Sequence, residues 1–308
     1  MKIGLVDVDG HNYPNLPLMK ISAFHKREGD SVEWYRGLWS DHMHRVYLSK
    51  VFSFTPDYNV IIDADEVVRG GSGYAIELEN GKEVYHKERD NDLPEDVEHI
   101  YPDYSIYPEY TQDTAFGFLT RGCPRGCSFC HVAAKEGQRS YKVANLDEFW
   151  KGQKNIVLND PNILGCADHS DLLQQLIDSK AKVEFNQGLD VRLMTDKNID
   201  LLRQIPMKYI HLAYDRIEDM NLVEPKLKAF KEATGYDYHK VMVYILVNFS
   251  STLAEDLHRI YFCKELGFDP FVMVYDKRNA SLDYKRLQRW CNNKFIFRKT
   301  ERFEDYNR

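Results

Sequence analysis

The sequence contains no apolar run that approaches the roughly 20 residues needed to cross a bilayer, so no membrane partner is expected. Its opening residues, Met1 to Asp7, meet a carboxylate too soon for the core of a secretory leader. They read instead as a buried first strand. Positive charge is not in excess. Lys and Arg total 41 against 48 Asp and Glu, a formal net charge of -7, which argues against a surface coated for nonspecific nucleic-acid binding. Internal repeats and low-complexity tracts are missing. Cysteine is sparse and uneven: of six, three fall within positions 123–130 and Cys166, Cys263 and Cys291 are scattered. A chain this long buries its own core without a disulfide framework. A cytoplasmic location is therefore expected, where thiols stay reduced and free to bind metal.

What is present is a globular balance, with 43% hydrophobic and 29% charged residues. A length of 308 residues allows one large domain or two of ordinary size. The pattern predicts two α/β regions. In residues 1–100, strands are expected at 2–7, 31–35, 45–54 and 59–62. A helix is expected over 16–27, with Leu18, Met19, Ile21 and Ala23 apolar and Gly29 as its stop. Gly70-Gly71-Ser72-Gly73 marks a tight loop. Residues 79–113, rich in acids, Tyr and Pro, read as a surface linker trailing this region.

From residue 114 to 308 a second alternation runs, with strands expected at 115–120, 155–159, 183–187, 209–214, 241–248 and 271–275. Ser170 is the expected N-cap of a helix bearing Leu172, Leu173, Leu176 and Ile177 on one face. Pro206 closes a helix near 201–205. Thr252-x-x-Glu255 is a capping-box pattern, and Gly267 is the stop signal of that helix. Six strands separated by helices imply parallel pairing and a partial (β/α)6 barrel. Its reactive groups should gather at the C-terminal ends of the strands.

The chemistry concentrates in Gly122-Cys123-Pro124-Arg125-Gly126-Cys127-Ser128-Phe129-Cys130-His131. Three thiolates spaced Cys-x-x-x-Cys-x-x-Cys can each hold one iron of a [4Fe–4S] cluster, leaving the fourth iron open to another ligand. Gly122 and Gly126 allow a tight curl around the inorganic core. The competing reading is a zinc site completed by His131. Structural zinc sites usually pair two separated knuckles, and no second knuckle is present.

This loop resembles the signature of the radical S-adenosylmethionine (SAM) superfamily, including the aromatic residue, Phe129, before the last cysteine. The resemblance implies that SAM chelates the open iron, and that an electron from a flavodoxin- or ferredoxin-type donor cleaves it to methionine and a 5′-deoxyadenosyl radical. That radical then takes hydrogen from a substrate.

The family often holds SAM's amino group on a Gly-Gly-Glu-like turn after the second strand. Asn159, Asp160 and Asn162 stand there instead, either as SAM acceptors or as an ordinary Asx turn. Gln187 and Asp190 follow the third expected strand as candidates for ribose hydroxyls, and Arg192 for a carboxylate. The other reading of that stretch is a turn with a surface salt bridge. Asp215 and Asn248 hold the corresponding places after strands four and five. Cys166 reads as a packed thiol or an active-site group, and Cys263 as core. The lack of a second cysteine cluster counts against an auxiliary iron–sulfur centre.

Asp9-Gly10-His11 lies between the first strand and first helix. With Ser49-x-Val51 and Gly70-Gly71, it resembles a Rossmann-like cobalamin-binding domain, in which His11 would bind cobalt. Pro14 and Val51 depart from that family's glycine and leucine. Residues 1–100 are thus either such a domain or a degenerate one that shapes a substrate pocket. Near the C-terminus, Lys285, Arg286, Arg289, Lys294, Arg298, Lys299 and Arg302 interleave with Trp290, Phe295 and Phe297. That mixture is either a nucleic-acid surface or, as favoured, a solvated helix face with an aromatic core side. The leading expectation is a radical SAM enzyme. A cobalamin-dependent radical SAM methyltransferase and a noncatalytic iron–sulfur or zinc redox-sensing protein are the alternatives.

Overall fold

Alternate side chains of the opening strand, β1 (Lys2–Asp7), enter two separate apolar clusters. Ile3 and Leu5 pack with Leu18 on one face, and Val6 packs with Tyr35, Met43, Val46 and Leu48 on the other. Burial on both faces is what a near-continuous apolar strand requires. The computed structural model describes residues 1–79 and 82–306.

The chain divides into two compact units. The first comprises Met1–Gly117, Gly122–Arg139 and Ala144–Ile156. The second comprises Phe118–Arg121, Ser140–Val143 and Val157–Arg308. Residues 122–139 and 144–156, which the sequence groups with the second alternation, thus belong to the first unit.

In the first unit, helix α1 (Leu16–Arg27) begins where Asn15 Oδ1 accepts the Leu18 N–H at 3.2 Å. It ends with His25, Lys26 and Arg27 against the negative end of its dipole. Strands β2 (Ser31–Trp34), β3 (Met43–Ser49) and β4 (Ala64–Gly70) join β1 in the parallel order β2-β1-β3-β4.

Two expected strands are corrected here. The strand expected over 45–54 stops at Ser49, and 59–62 forms none. Asp9 explains the first change, because its carboxylate accepts the Val51 N–H and, at 3.3 Å, the Phe52 N–H. Those donors are lost to any ladder, and Phe54 and Ile61 stand exposed in the loop. The fourth strand is instead the more polar β4, only partly buried, which carries a weak apolar signal.

Gly70-Gly71 leads into a short helix, α2 (Ser72–Ala75). Gly71 has φ +96°, and a Cβ there would lie 2.4 Å from the Lys50 carbonyl oxygen.

Residues 79–113 are better ordered than a plain linker, with positions 80 and 81 outside the described residues. Strands β5 (Ile76–Glu79) and β6 (Lys82–Tyr85) pair antiparallel. Helices α3 (Glu95–Glu98) and α4 (Pro108–Thr111) follow. Tyrosines anchor the stretch singly, without periodicity. The Tyr104 hydroxyl donates to the Phe149 carbonyl at 2.6 Å, and the Tyr107 hydroxyl to Asp7 Oδ2 at 2.7 Å.

Beyond these come β7 (Thr114–Gly117), β8 (Thr120–Arg121), α5 (Val132–Glu136), β9 (Tyr141–Lys142) and β10 (Asn155–Leu158). Strands β11 (Lys182–Asp190), β12 (Met207–Ala213), β13 (Val241–Val247) and β14 (Asp269–Val274) complete a six-stranded parallel sheet of order β14-β13-β12-β11-β10-β7. Helices α6 (His169–Ser179), α7 (Asp196–Leu202), α8 (Met220–Thr234) and α9 (Leu253–Glu265) connect its strands, and α10 (Leu282–Asn292) and α11 (Lys294–Lys299) follow.

Leu172, Leu173, Leu176 and Ile177 are buried as their spacing predicts. The N-cap of α6 is Asp168, not Ser170, because the helix starts at His169. The capping box of Thr252 and Glu255 forms, and Gly267 follows α9 with φ +73°. Strand β11 outruns its expected end at 187, because pairing with β12 resumes at Leu189 and Asp190 after a register irregularity beyond Phe185.

Among the described residues no helix is long and apolar enough to cross a membrane.

Candidate metal centre

Gly122, immediately after β8, shows why the cysteine loop needs glycine. It has φ +74°, and a Cβ would sit 2.1 Å from the Arg139 carbonyl oxygen. Its N–H donates to Glu136 Oε2 at 2.8 Å, and the Cys123 N–H to the Gly137 carbonyl at 3.3 Å. These bonds tie the start of the loop to the end of α5. At the other end, the Cys130 N–H donates to the Cys127 carbonyl at 3.0 Å, closing a turn around Ser128 and a half-buried Phe129. Gly126 has φ +57°.

All three thiols are free of disulfides; Cys123 and Cys127 are half-buried and Cys130 is exposed. Three thiols at this spacing, on a loop tied at its start to α5, are a donor set suited to a cluster with one open iron. His131 Nε2 lies 3.1 Å from Glu83 Oε2. A carboxylate on one ring nitrogen is also how zinc-bound histidines are oriented, but among the described residues the ligand atoms that converge within 4.8 Å of one another belong to Glu77, Glu79 and His86, not to His131 and the three cysteines. The exposure of Cys130 fits an open site better than a closed structural one.

The other three cysteines differ. Cys166, Cys263 and Cys291 are buried, and burial raises all three thiols, Cys291 to about 12. They are packed, protonated groups at neutral pH.

In the second unit, the polar residues near the strand ends divide by what they already bind. Asn159 Oδ1 accepts from Asn186 Nδ2 at 2.9 Å. Asp160 is buried and accepts the Leu119 N–H at 3.1 Å and the Thr120 hydroxyl at 2.7 Å. Burial raises its carboxyl to about 6 in spite of these donors. The Asn162 carbonyl, also buried, accepts from Ser140 Oγ at 2.9 Å.

Gln187 is exposed and Asp190 buried, and both lie within β11 rather than after it. Asp190 Oδ1 accepts from Arg192 Nε at 2.7 Å, and Arg192 reaches Asp219 at 2.8 Å. Arg192 is thus ion-paired with two carboxylates, and Gln187 stays exposed. Asp215 accepts the Leu246 N–H at 3.1 Å, and burial raises its carboxyl to about 6. Asn248, at φ +62°, donates its side chain to the Tyr275 carbonyl at 3.0 Å.

One face of β11–β13 carries residues that sequence reasoning passed over. His211 donates from Nδ1 to the Phe185 carbonyl at 2.7 Å, and stacks on Tyr244 at 4.8 Å with an interplanar angle of 11°. The Tyr244 hydroxyl donates to the Asn186 carbonyl at 3.0 Å. The signal was the alternation of Tyr209 and His211 with the buried aliphatics Ile210 and Leu212.

In the first unit, His11 stands edge-on to Trp34 at 4.3 Å, and desolvation followed by the Arg36 charge lowers its basicity. These residues do not fit a corrin. Asp9, the acidic residue of that motif, is spent on Val51, Phe52 and the Thr55 hydroxyl. Ser49 is buried and accepts from Asn15. The cavity that His11 lines is about 390 Å³, at the low end for small-molecule sites and far below a corrin.

The C-terminal aromatics Trp290 and Phe297 are buried against each other, with ring centroids 4.9 Å apart. Neither is available to stack on a base, whereas Phe295, the third aromatic of that stretch, is exposed. No protein-family model matches the chain, and no curated protein matches it significantly.

Proposed function

We propose that this chain is a radical SAM enzyme, in which Cys123, Cys127 and Cys130 hold a [4Fe–4S] cluster and the six-stranded sheet is a partial (β/α)6 barrel. The observation that carries the reading is the cysteine loop: three thiols outside any disulfide on a short segment whose start is tied to α5 through Gly122 and Glu136 and which turns between Cys127 and Cys130. The bound group would supply one-electron cleavage of SAM and hydrogen abstraction from a substrate.

The protein's own residues have the simpler tasks. The three thiolates bind iron. Asn159, Asn162, Gln187 and Asn248 are proposed to meet the polar groups of SAM. Asp160, Asp190 and Asp215 hold the backbone or Arg192 in place, so they act as positioning residues. A flavodoxin- or ferredoxin-type donor in a reducing, cytoplasmic setting would deliver the electron.

Anaerobic purification tests this. The expected protein is brown, carries iron and sulfide, and cleaves SAM reductively to 5′-deoxyadenosine. Cys127→Ala should abolish that cleavage while the fold persists. A colourless protein with stoichiometric zinc overturns the reading. It would favour a noncatalytic binding or redox-sensing protein, with His131 completing the metal site.

A further inference from the structure

The cavity of about 390 Å³ in the first unit lies at the C-terminal edge of its parallel sheet. It includes Leu5, Val6 and Asp7 from the end of β1 and Trp34 from the end of β2. There the chain leaves β2 on one side of β1 and returns as β3 on the other. Such reversals open a crevice beyond the strand ends, where α/β sheets bind ligands.

Its lining has three chemical parts. Aromatic rings form the wall: Trp34 meets Tyr107 edge-on at 5.3 Å and His11 at 4.3 Å. Flat heteroaromatic ligands are held by stacking on such rings. Asp7, only 9% exposed, supplies a carboxyl group. One oxygen is held by Tyr107, and the group keeps acceptor capacity beyond that bond. Arg36 lines the same cavity and is exposed. Among the described residues its guanidinium is in no ion pair, and a planar fork of donors matches a phosphate.

A flat ring that donates, attached to an anion, in a space of this size describes one nucleotide. Guanine presents N1–H and the exocyclic amino group side by side, the arrangement a single carboxylate accepts best. Glu109, also on the wall, can accept from ribose hydroxyls.

We propose that this cavity binds a guanosine monophosphate, with the base between the aromatic rings and Asp7, and the phosphate on Arg36. The site is independent of SAM cleavage, so its failure and that of the radical SAM reading are separable.

The test is isothermal calorimetry on the purified full-length protein with GMP, AMP, CMP, UMP, guanosine and inorganic phosphate. GMP should bind at least tenfold more tightly than the other monophosphates. Arg36→Ala, at an exposed position, should weaken GMP at least tenfold and leave guanosine unchanged. Asp7→Asn should erase the preference for GMP over AMP, with circular dichroism confirming the fold. Equal affinity for all four monophosphates overturns the proposal. So does inorganic phosphate binding as tightly as GMP, an Arg36→Ala protein with unchanged GMP affinity, or no heat with any nucleotide at millimolar concentration.

Discussion

The Tyr107 hydroxyl donates to Asp7 Oδ2 at 2.7 Å, joining the end of β1 to a segment 100 residues later in the chain. Burial is the main reason that the Asp7 carboxyl rises to about 6, and the Tyr107 bond acts against that rise. Tyr107→Phe removes a donor to the charged form. The Asp7 pKa should therefore climb further, and stability at pH 7 should fall by about 1–3 kcal/mol. An NMR titration of the carboxyl and urea denaturation read the two effects. An unchanged or lowered pKa would contradict the assigned role of the bond.

Asp7, Asp160 and Asp215 share a raised carboxyl pKa of about 6 against the ordinary 3.8. The folded state then holds their protons more tightly than the unfolded chain. Between about pH 3.8 and 6 the folded protein binds more protons, so their contribution to stability falls as pH rises through that window. For buried Asp160 the loss is up to about 3 kcal/mol. Asp160→Asn should flatten the dependence of the denaturation midpoint on pH from 4 to 6; a slope equal to wild type would count against it.

Gly122→Ala places a Cβ 2.1 Å from a carbonyl oxygen at φ +74°. Backbone strain alone costs on the order of 1–3 kcal/mol. Iron and sulfide per chain should drop several-fold after anaerobic reconstitution. Gly137→Ala also meets a positive φ, +95°, but open space, and should retain more iron. Equal iron content in the two variants would remove the steric argument.

Cys263→Ala offers the complementary control for the metal site. Its thiol is fully buried and raised by burial, so it is packing rather than ligand. The variant should keep wild-type iron content, whereas Cys123→Ala and Cys130→Ala should lose it. Iron loss in Cys263→Ala with a native circular dichroism spectrum would place a ligand where none is expected.

Arg259 is buried with Asp256 and donates to the Tyr214 and Leu246 carbonyls at 2.9 and 2.8 Å. It thereby ties together the ends of β12 and β13. Arg259→Leu leaves the Asp256 charge uncompensated, so a loss of about 3–5 kcal/mol is expected in thermal or urea unfolding. A loss below about 1 kcal/mol would show that water or another donor replaces it.

Much of the local structure was legible because its causes are local. Strand β1 and helix α1 have the expected bounds, set by an apolar run, a polar cap and a glycine stop. The four apolar positions of α6 and the Thr252–Glu255 capping box follow the same rule. Where partners lie far away in sequence, the reading failed. The strand over 45–54 was cut short because Asp9, some 42 residues earlier, takes the Val51 N–H. Strand β4 was missed because a partly buried polar strand needs little apolar patterning. The extension of β11 depends on pairing with β12 resuming after an irregularity.

By itself the sequence determined the cysteine loop: the spacing of Cys123, Cys127 and Cys130 and the glycines beside them are covalent facts. It also determined the strand–helix alternation wherever the apolar periodicity is strong, as in β1, α1 and α6, because periodicity is carried by neighbouring residues. Only the tertiary structure decided which polar groups are already committed. Asp160 is spent on Leu119 and Thr120, Asp190 on Arg192, and Asp9 on residues 51 to 55, whereas Arg36 lines an aromatic cavity with no ion pair among the described residues. A hydrogen bond satisfies a group wherever its partner sits along the chain, so the capacity left for a ligand is settled only when distant segments meet.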